Sequence, residues 1–188
     1  MCKLAVFFPG IGYTVDRPLL YFSRQLAIKS GYEIRLLPYH GFPQQVRGDR
    51  AKMEACFRIA LSQSEEMLSD LNLSAYGDVL FIGKSVGTIV AACIAAKSVA
   101  RDRIRLVLYT PLPDTFSFSS GAAVAFTGGN DPWVGGAESR ISKLCEERDI
   151  PCVLVPNANH SLETGDVPTD LETLRRVMAR TAQFIAGS

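Results

Sequence analysis

Residues 77–87 read GDVLFIGKSVG, and two kinds of chemistry meet in the last five. Gly-Lys-Ser ends a phosphate-binding loop, whereas Gly-x-Ser-x-Gly is the turn that presents a nucleophilic serine. A phosphate loop needs a first glycine five residues before Gly83. That position holds Asp78, and Gly77 is one residue too early. The intervening residues, DVLFI, read as a buried strand whose N–H groups belong to neighbouring strands and cannot converge on phosphate oxygens. A nucleotide-binding reading therefore has little support. The alternative needs a strand, a tight turn and a helix, with glycines two before and two after the serine. Here the order is DVLFI, then Gly83-Lys84-Ser85-Val86-Gly87, then TIVAACIAAK. The weight lies on this context, because the five-residue motif alone is weak.

A serine hydroxyl needs a base to take its proton, and the base needs an acid to orient it. With the serine on a strand-to-helix turn, the chain order is serine, acid, histidine, each after a strand. One histidine follows Ser85: His160, in PNANHSLE after the run CVLV. For the acid, Asp131 in TGGNDPWV is the first choice and Asp114 in PLPDT the alternative. Asp131 also suits a helix N-cap. Acyl-transfer chemistry further requires N–H donors for a developing oxyanion. Val86 offers one, and the loop FFPGIGYT offers the other through Ile11, with Gly12 as alternative. Tyr13 and Trp133 are candidates for lining the cleft. Lys84 is expected to point out of the turn, where it would attract an anionic substrate.

These residues need a scaffold, and short apolar runs provide it. LAVFF (4–8), EIRLL (33–37), DVLFI (78–82), IRLVLY (104–109), AAVAF (122–126) and CVLV (152–155) are continuous rather than alternating, as strands covered on both faces are. Helical patterns lie between them. One opens at Asp16 and Pro18 and stops at Gly31. A second starts at Asp49, a third runs from Ser85 to about residue 100 and is apolar almost all round, and a fourth lies near 133–148. The last begins at a Thr169-x-x-Glu172 capping box. Segment 111–121 is irregular. The alternation predicts one α/β domain over 1–188, an open, mostly parallel sheet of about six strands with helices on both faces.

The chain has 188 residues, 47% hydrophobic and 21% charged, with a formal net charge of +1. Scattered Lys and Arg argue against nucleic acid or membrane as the main partner. Five cysteines without a C-x-x-C pair, and no signal-peptide pattern, point to reduced thiols and a cytoplasmic location. Two histidines in unrelated contexts, His40 and His160, support no zinc site. Neither metal nor cofactor is expected.

With Ser85, Asp131 and His160 in this order on this alternation, the chain resembles the α/β-hydrolase superfamily, chiefly its small single-domain bacterial members. The resemblance runs from the loop at 9–13 to the last helix. It implies a serine hydrolase with Ser85 as nucleophile, His160 as general base and acid, and Asp131 as orienting acid. It further implies an acyl-enzyme intermediate and an oxyanion hole from Ile11 and Val86. Pro9-Gly10 stands where many members have His-Gly, and His40-Gly41 falls in the loop after the second strand, as cleft lining or plain loop. Segment 111–121 leaves little room for a lid, so an open site for small esters or thioesters is expected, with a small-molecule acyl substrate as partner. An amidase or peptidase-type hydrolase on the same triad, or a non-catalytic binding protein on the same fold, are the alternatives.

Overall fold

Largely apolar runs bury both faces where they form the middle of one sheet, as Lys3–Phe8, Asp78–Lys84, Ile104–Tyr109 and Ala123–Gly128 do, while the edge runs Glu33–Leu36 and Cys152–Val155 are only partly buried. The computed structural model describes residues 2–118, 122–134 and 138–187. Among the described residues six parallel strands are present: β1 (Lys3–Phe8), β2 (Glu33–Leu36), β3 (Asp78–Lys84), β4 (Ile104–Tyr109), β5 (Ala123–Gly128) and β6 (Cys152–Val155). Their order across the sheet is β2-β1-β3-β4-β5-β6. Among the described residues, α1 (Pro18–Lys29), α2 (Arg50–Met67), α3 (Val86–Lys97) and α4 (Glu138–Glu146) lie between strands, and α5 (Val167–Ala186) follows β6.

The period of two along each strand divides the core. Val79 and Phe81 of β3 join residues of α2, α3 and α4 on one face, while Leu80 and Ile82 join α1 and α5 on the other. Parallel crossovers with helices on both faces follow from the right-handed twist of strands and helices. On the second face a buried hydroxyl network fixes the helices to the sheet. Tyr109 Oη lies 2.8 Å from Ser23 Oγ of α1 and 2.7 Å from Thr181 Oγ1 of α5. At the opposite end of the sheet from the candidate site, Arg105 donates to Asp78 at 2.9 Å and to the carbonyl of Ile185 at 3.1 Å, anchoring the end of α5.

Strand order reverses between β1 and β3, since the chain winds outward to β2 and then returns to add β3 on the other side of β1. Ligand crevices in open parallel sheets lie at such a reversal, outside the carboxyl ends of the strands. The loop after β1 and the turn after β3 meet there.

Helix starts depart from the sequence expectation in two places. The final helix begins at Val167, not at Thr169, because Asp166 is the N-cap: its carboxylate accepts the Thr169 N–H at 3.0 Å. Glu172 is engaged by Arg175 at 2.7 and 2.8 Å instead of reaching back to form a capping box. The first helix begins at Pro18 with Arg17 as N-cap, while Asp16 pairs with Arg24 at 3.4 Å. Trp133 and Val134 form a turn before α4, and residues 135–137 lie outside the described residues. Segment 111–118 contains a short 3-10 turn at Pro113–Ser117; residues 119–121 lie outside the described residues.

Candidate active site

Ser85 occupies the turn between β3 and α3 with φ 55° and ψ −124°. A non-glycine residue in this region carries strain, which the surroundings must hold. Here the Ser85 N–H donates to the Tyr109 carbonyl at 3.0 Å, and its carbonyl accepts from Thr88 Oγ1 at 2.6 Å. Thr88 Oγ1 in turn lies 2.7 Å from Thr115 Oγ1, so segment 113–117 buttresses the turn. The flanking glycines are required by space. A Cβ on Gly83 would sit 2.8 Å from Thr88 Cα, and one on Gly87 would collide with the Phe8 and Pro9 carbonyls. That second collision shows how closely the loop after β1 approaches the start of α3.

His160 and Asp131 arrive from two further strand ends. After β5, the N–H groups of Gly129 and Asn130 donate to the carbonyls of Val155 and Ala158, each at 2.9 Å. A Cβ on Gly128 would strike the Ala158 carbonyl, so this glycine permits the two loops to touch. Asn159 folds the histidine loop: its side-chain oxygen accepts from the Ser161 N–H at 2.7 Å, and its own N–H donates to the Glu163 carbonyl at 2.8 Å. The result is one continuous chain. His160 Nδ1 lies 2.6 Å from Asp131 Oδ2, and His160 Nε2 lies 2.8 Å from Ser85 Oγ. Asp131 is fully buried, and its second oxygen accepts the Trp133 N–H at 2.9 Å.

An ionised carboxylate against Nδ1 keeps the ring proton there and leaves the Nε2 lone pair facing the Ser85 hydroxyl. The His160 pKa lies below the usual histidine value. Burial is the main cause, the Asp131 carboxylate opposes it, and the Lys84 ammonium adds to it. The imidazole is therefore neutral near pH 7 and free to accept a proton.

The remaining expected residues are distributed differently. Ile11, Gly12 and Trp133 line an open cleft of roughly 540 Å³, with Trp133 stacked on His160 at 5.3 Å between ring centroids. Val86, as the first residue of α3, has no intrahelical acceptor for its N–H. Tyr13 does not line this cleft. It is buried beside α1, with its hydroxyl accepting the Leu19 N–H at 3.1 Å. Burial raises the Tyr13 pKa to about 12.

Lys84 overturns the expectation that it points outward: it is only 1% exposed. The alternation Leu80, Ile82, Lys84 aims its side chain into the α1/α5 side of the core, where its Nζ lies 4.9 Å from the centre of the Tyr13 ring. Burial lowers its pKa to about 7, against the attraction of Asp131 and Glu163. Asp114 is exposed in a separate cleft with Arg140 and Arg148, away from His160. His40 is tied to α2 instead of the cleft, its N–H donating to Gln63 Oε1 at 3.1 Å.

Two contributors went unread in the sequence. One is the loop Phe42–Arg47, which forms the wall of the cleft opposite Ile11 and Trp133. Its Gly41, Pro43 and Gly48 mark an irregular connection after β2, but nothing in them signals its position. The other is Asn159, whose type beside a loop histidine is a turn signal. Among the described residues no cluster of three or more His, Cys, Asp or Glu side chains could hold a metal ion. No described helix is long and apolar enough to cross a membrane.

No protein-family model matches the chain, and no curated protein matches it. Solved structures do. An esterase of Pyrococcus furiosus superposes with a TM-score of 0.66 at 14% identity, covering 98% of this chain and 82% of its own. Est1E from Butyrivibrio proteoclasticus, in a structure with ferulic acid bound, gives 0.69 at 13% identity, covering 99% and 89%. An alpha-beta serine hydrolase homologue from Coxiella burnetii gives 0.56 at 16%, covering 95% and 84%. The chain has the α/β-hydrolase fold.

Proposed function

We propose that the protein is a serine hydrolase acting on small esters or thioesters through an acyl-enzyme. The observation that carries this reading is the unbroken chain from Asp131 through His160 to Ser85, with links of 2.6 and 2.8 Å. In the first half-reaction Ser85 Oγ attacks the substrate carbonyl carbon while His160 Nε2 takes the hydroxyl proton. Asp131 holds the imidazolium that results. The carbonyl oxygen becomes an oxyanion facing the N–H groups of Ile11 and Val86, the latter at the positive end of α3. Collapse of the tetrahedral intermediate expels the alcohol or thiol, which His160 protonates. Water then attacks the acyl-enzyme with His160 again as base, and the acid leaves as Ser85 regains its proton.

Small substrates suit the short, open cleft, and an ester preference accords with the esterases among the structural neighbours. A fluorophosphonate probe should label the protein at one residue, mapped by digestion to Ser85. Labelling elsewhere, or none, would sink the proposal. The Ser85→Ala variant should hydrolyse p-nitrophenyl acetate at background rate.

A further inference from the structure

The cleft is lined by the apolar Ile11, Phe42, Val46 and Trp133, the last stacked on His160, and by the polar Gln44, Gln45 and Arg47. Arg47 is the sole charged residue lining the cleft among the described residues. It is exposed, and no described carboxylate pairs with it. The acid nearest in sequence, Asp49, is committed elsewhere: it accepts the Lys52 N–H at 3.0 Å as the N-cap of α2 and lies 4.0 Å from Lys52 Nζ.

The backbone that carries Arg47 is fixed. Val46 is buried against Val86, the residue after Ser85, together with Cys56. The Asp49 N–H donates to the Val46 carbonyl at 3.0 Å, and Lys52 Nζ donates to the carbonyls of Gln44 and Gln45 at 3.2 and 3.5 Å. These bonds leave the Arg47 guanidinium as a charge on an anchored stem, in the cleft also lined by Trp133, whose ring stacks on His160. A planar guanidinium matches a carboxylate with two parallel hydrogen bonds, and Gln44 and Gln45, which line the same cleft, add neutral donors.

We propose that Arg47 selects substrates carrying a carboxylate, so that the natural substrate is an ester or thioester with an apolar stretch between its scissile carbonyl and an anionic end. This rests on the serine-hydrolase reading above. Two matched pairs of substrates test it, because the carboxylate can lie on either side of the scissile bond. Mono-p-nitrophenyl glutarate against p-nitrophenyl valerate places it on the acyl part. 4-Acetoxybenzoate against its methyl ester places it on the leaving group.

The expected result is that, in at least one pair, the charged-to-neutral ratio of kcat/KM falls by about tenfold or more in Arg47→Gln. It falls further in Arg47→Glu, is only partly retained in Arg47→Lys, which keeps the charge but not the two parallel bonds, and shrinks with added salt. Ratios unchanged by Arg47→Gln in both pairs, in protein that still reacts with fluorophosphonate at Ser85, would overturn the assignment of Arg47 alone. Failure of the probe to label Ser85 would remove the hydrolase reading and this proposal together.

Discussion

Lys84 should make the fold less stable at neutral pH than an unbranched neutral side chain of similar length, and replacing it with methionine should show this. The ammonium sits beside Ser85 at 1% exposure, and its pKa falls from 10.5 to about 7. At 1.36 kcal/mol per unit, that displacement corresponds to about 5 kcal/mol separating the charged form in the fold from the charged form in water. Because the folded value lies below the unfolded one, the unfolded chain holds the extra proton between about pH 7 and pH 10. Stability of the native protein therefore rises with pH across that window by up to about 1.4 kcal/mol per pH unit. Below pH 7 the full penalty is present in the native protein and absent from Lys84→Met. Urea unfolding of both proteins from pH 6 to pH 10 measures this. Contributions from tyrosines and cysteines, which both proteins share, cancel in the difference. Lys84→Met should be several kcal/mol more stable at pH 6 and close to equal at pH 10. A difference that stays constant over the range would refute the reasoning, because it would mean that the ammonium reaches water.

Activity should lose its base on the acid side, since His160 must be neutral to take the Ser85 proton. The acid limb of kcat/KM against pH should lie below 6.5 and move to higher pH in Lys84→Met, where a neighbouring positive charge that lowers the His160 pKa is gone. A limb unmoved by the substitution would separate the lysine from the histidine. Asp131→Asn should keep the Trp133 N–H bond but present an amide donor to Nδ1, forcing the imidazole proton toward Ser85. With near-native stability by urea unfolding, kcat should drop by roughly 10³–10⁴, and retention of more than a tenth of the activity would argue against Asp131 as the orienting acid.

Much of the site was legible because it obeys rules local in sequence. Six largely apolar runs read as strands covered on both faces, and each lies within two residues of the strand found, although the edge strands β2 and β6 are only partly buried. Gly83 and Gly87 signalled a turn in which a strand and a helix come closer than any side chain allows. Lys84 was misjudged because its place in the motif suggested a turn residue, although the period of two through Leu80 and Ile82 already assigned it to the interior. The final helix start was displaced because Asp166, three residues before Thr169, takes the N-cap and accepts both the Thr169 N–H and its hydroxyl. The loop Phe42–Arg47 was illegible for a different reason. Its position is set by Val46 packing on Val86, a contact between residues 40 apart that no local pattern encodes.

The same kind of long-range contact separates the two candidate acids in space. Both follow a strand, and sequence order alone leaves both possible. At the end of β4, Thr110 adopts φ 42° and donates its N–H to the Phe126 carbonyl at 2.7 Å, after which the chain carries Thr115 to Thr88 at the foot of α3. Asp114 travels with that segment to the exposed side near Arg148. At the end of β5 the chain has no such errand. Gly129 and Asn130 bond directly to the loop after β6, which leaves Asp131 buried with one oxygen on the Trp133 N–H and the other on His160. The segment after β4 supports the serine from behind through Thr115 and Thr88, and the loop after β5 supplies the carboxylate. Two adjacent strand ends thus take different parts, one bracing the turn through Thr115 and the other placing a carboxylate on the imidazole.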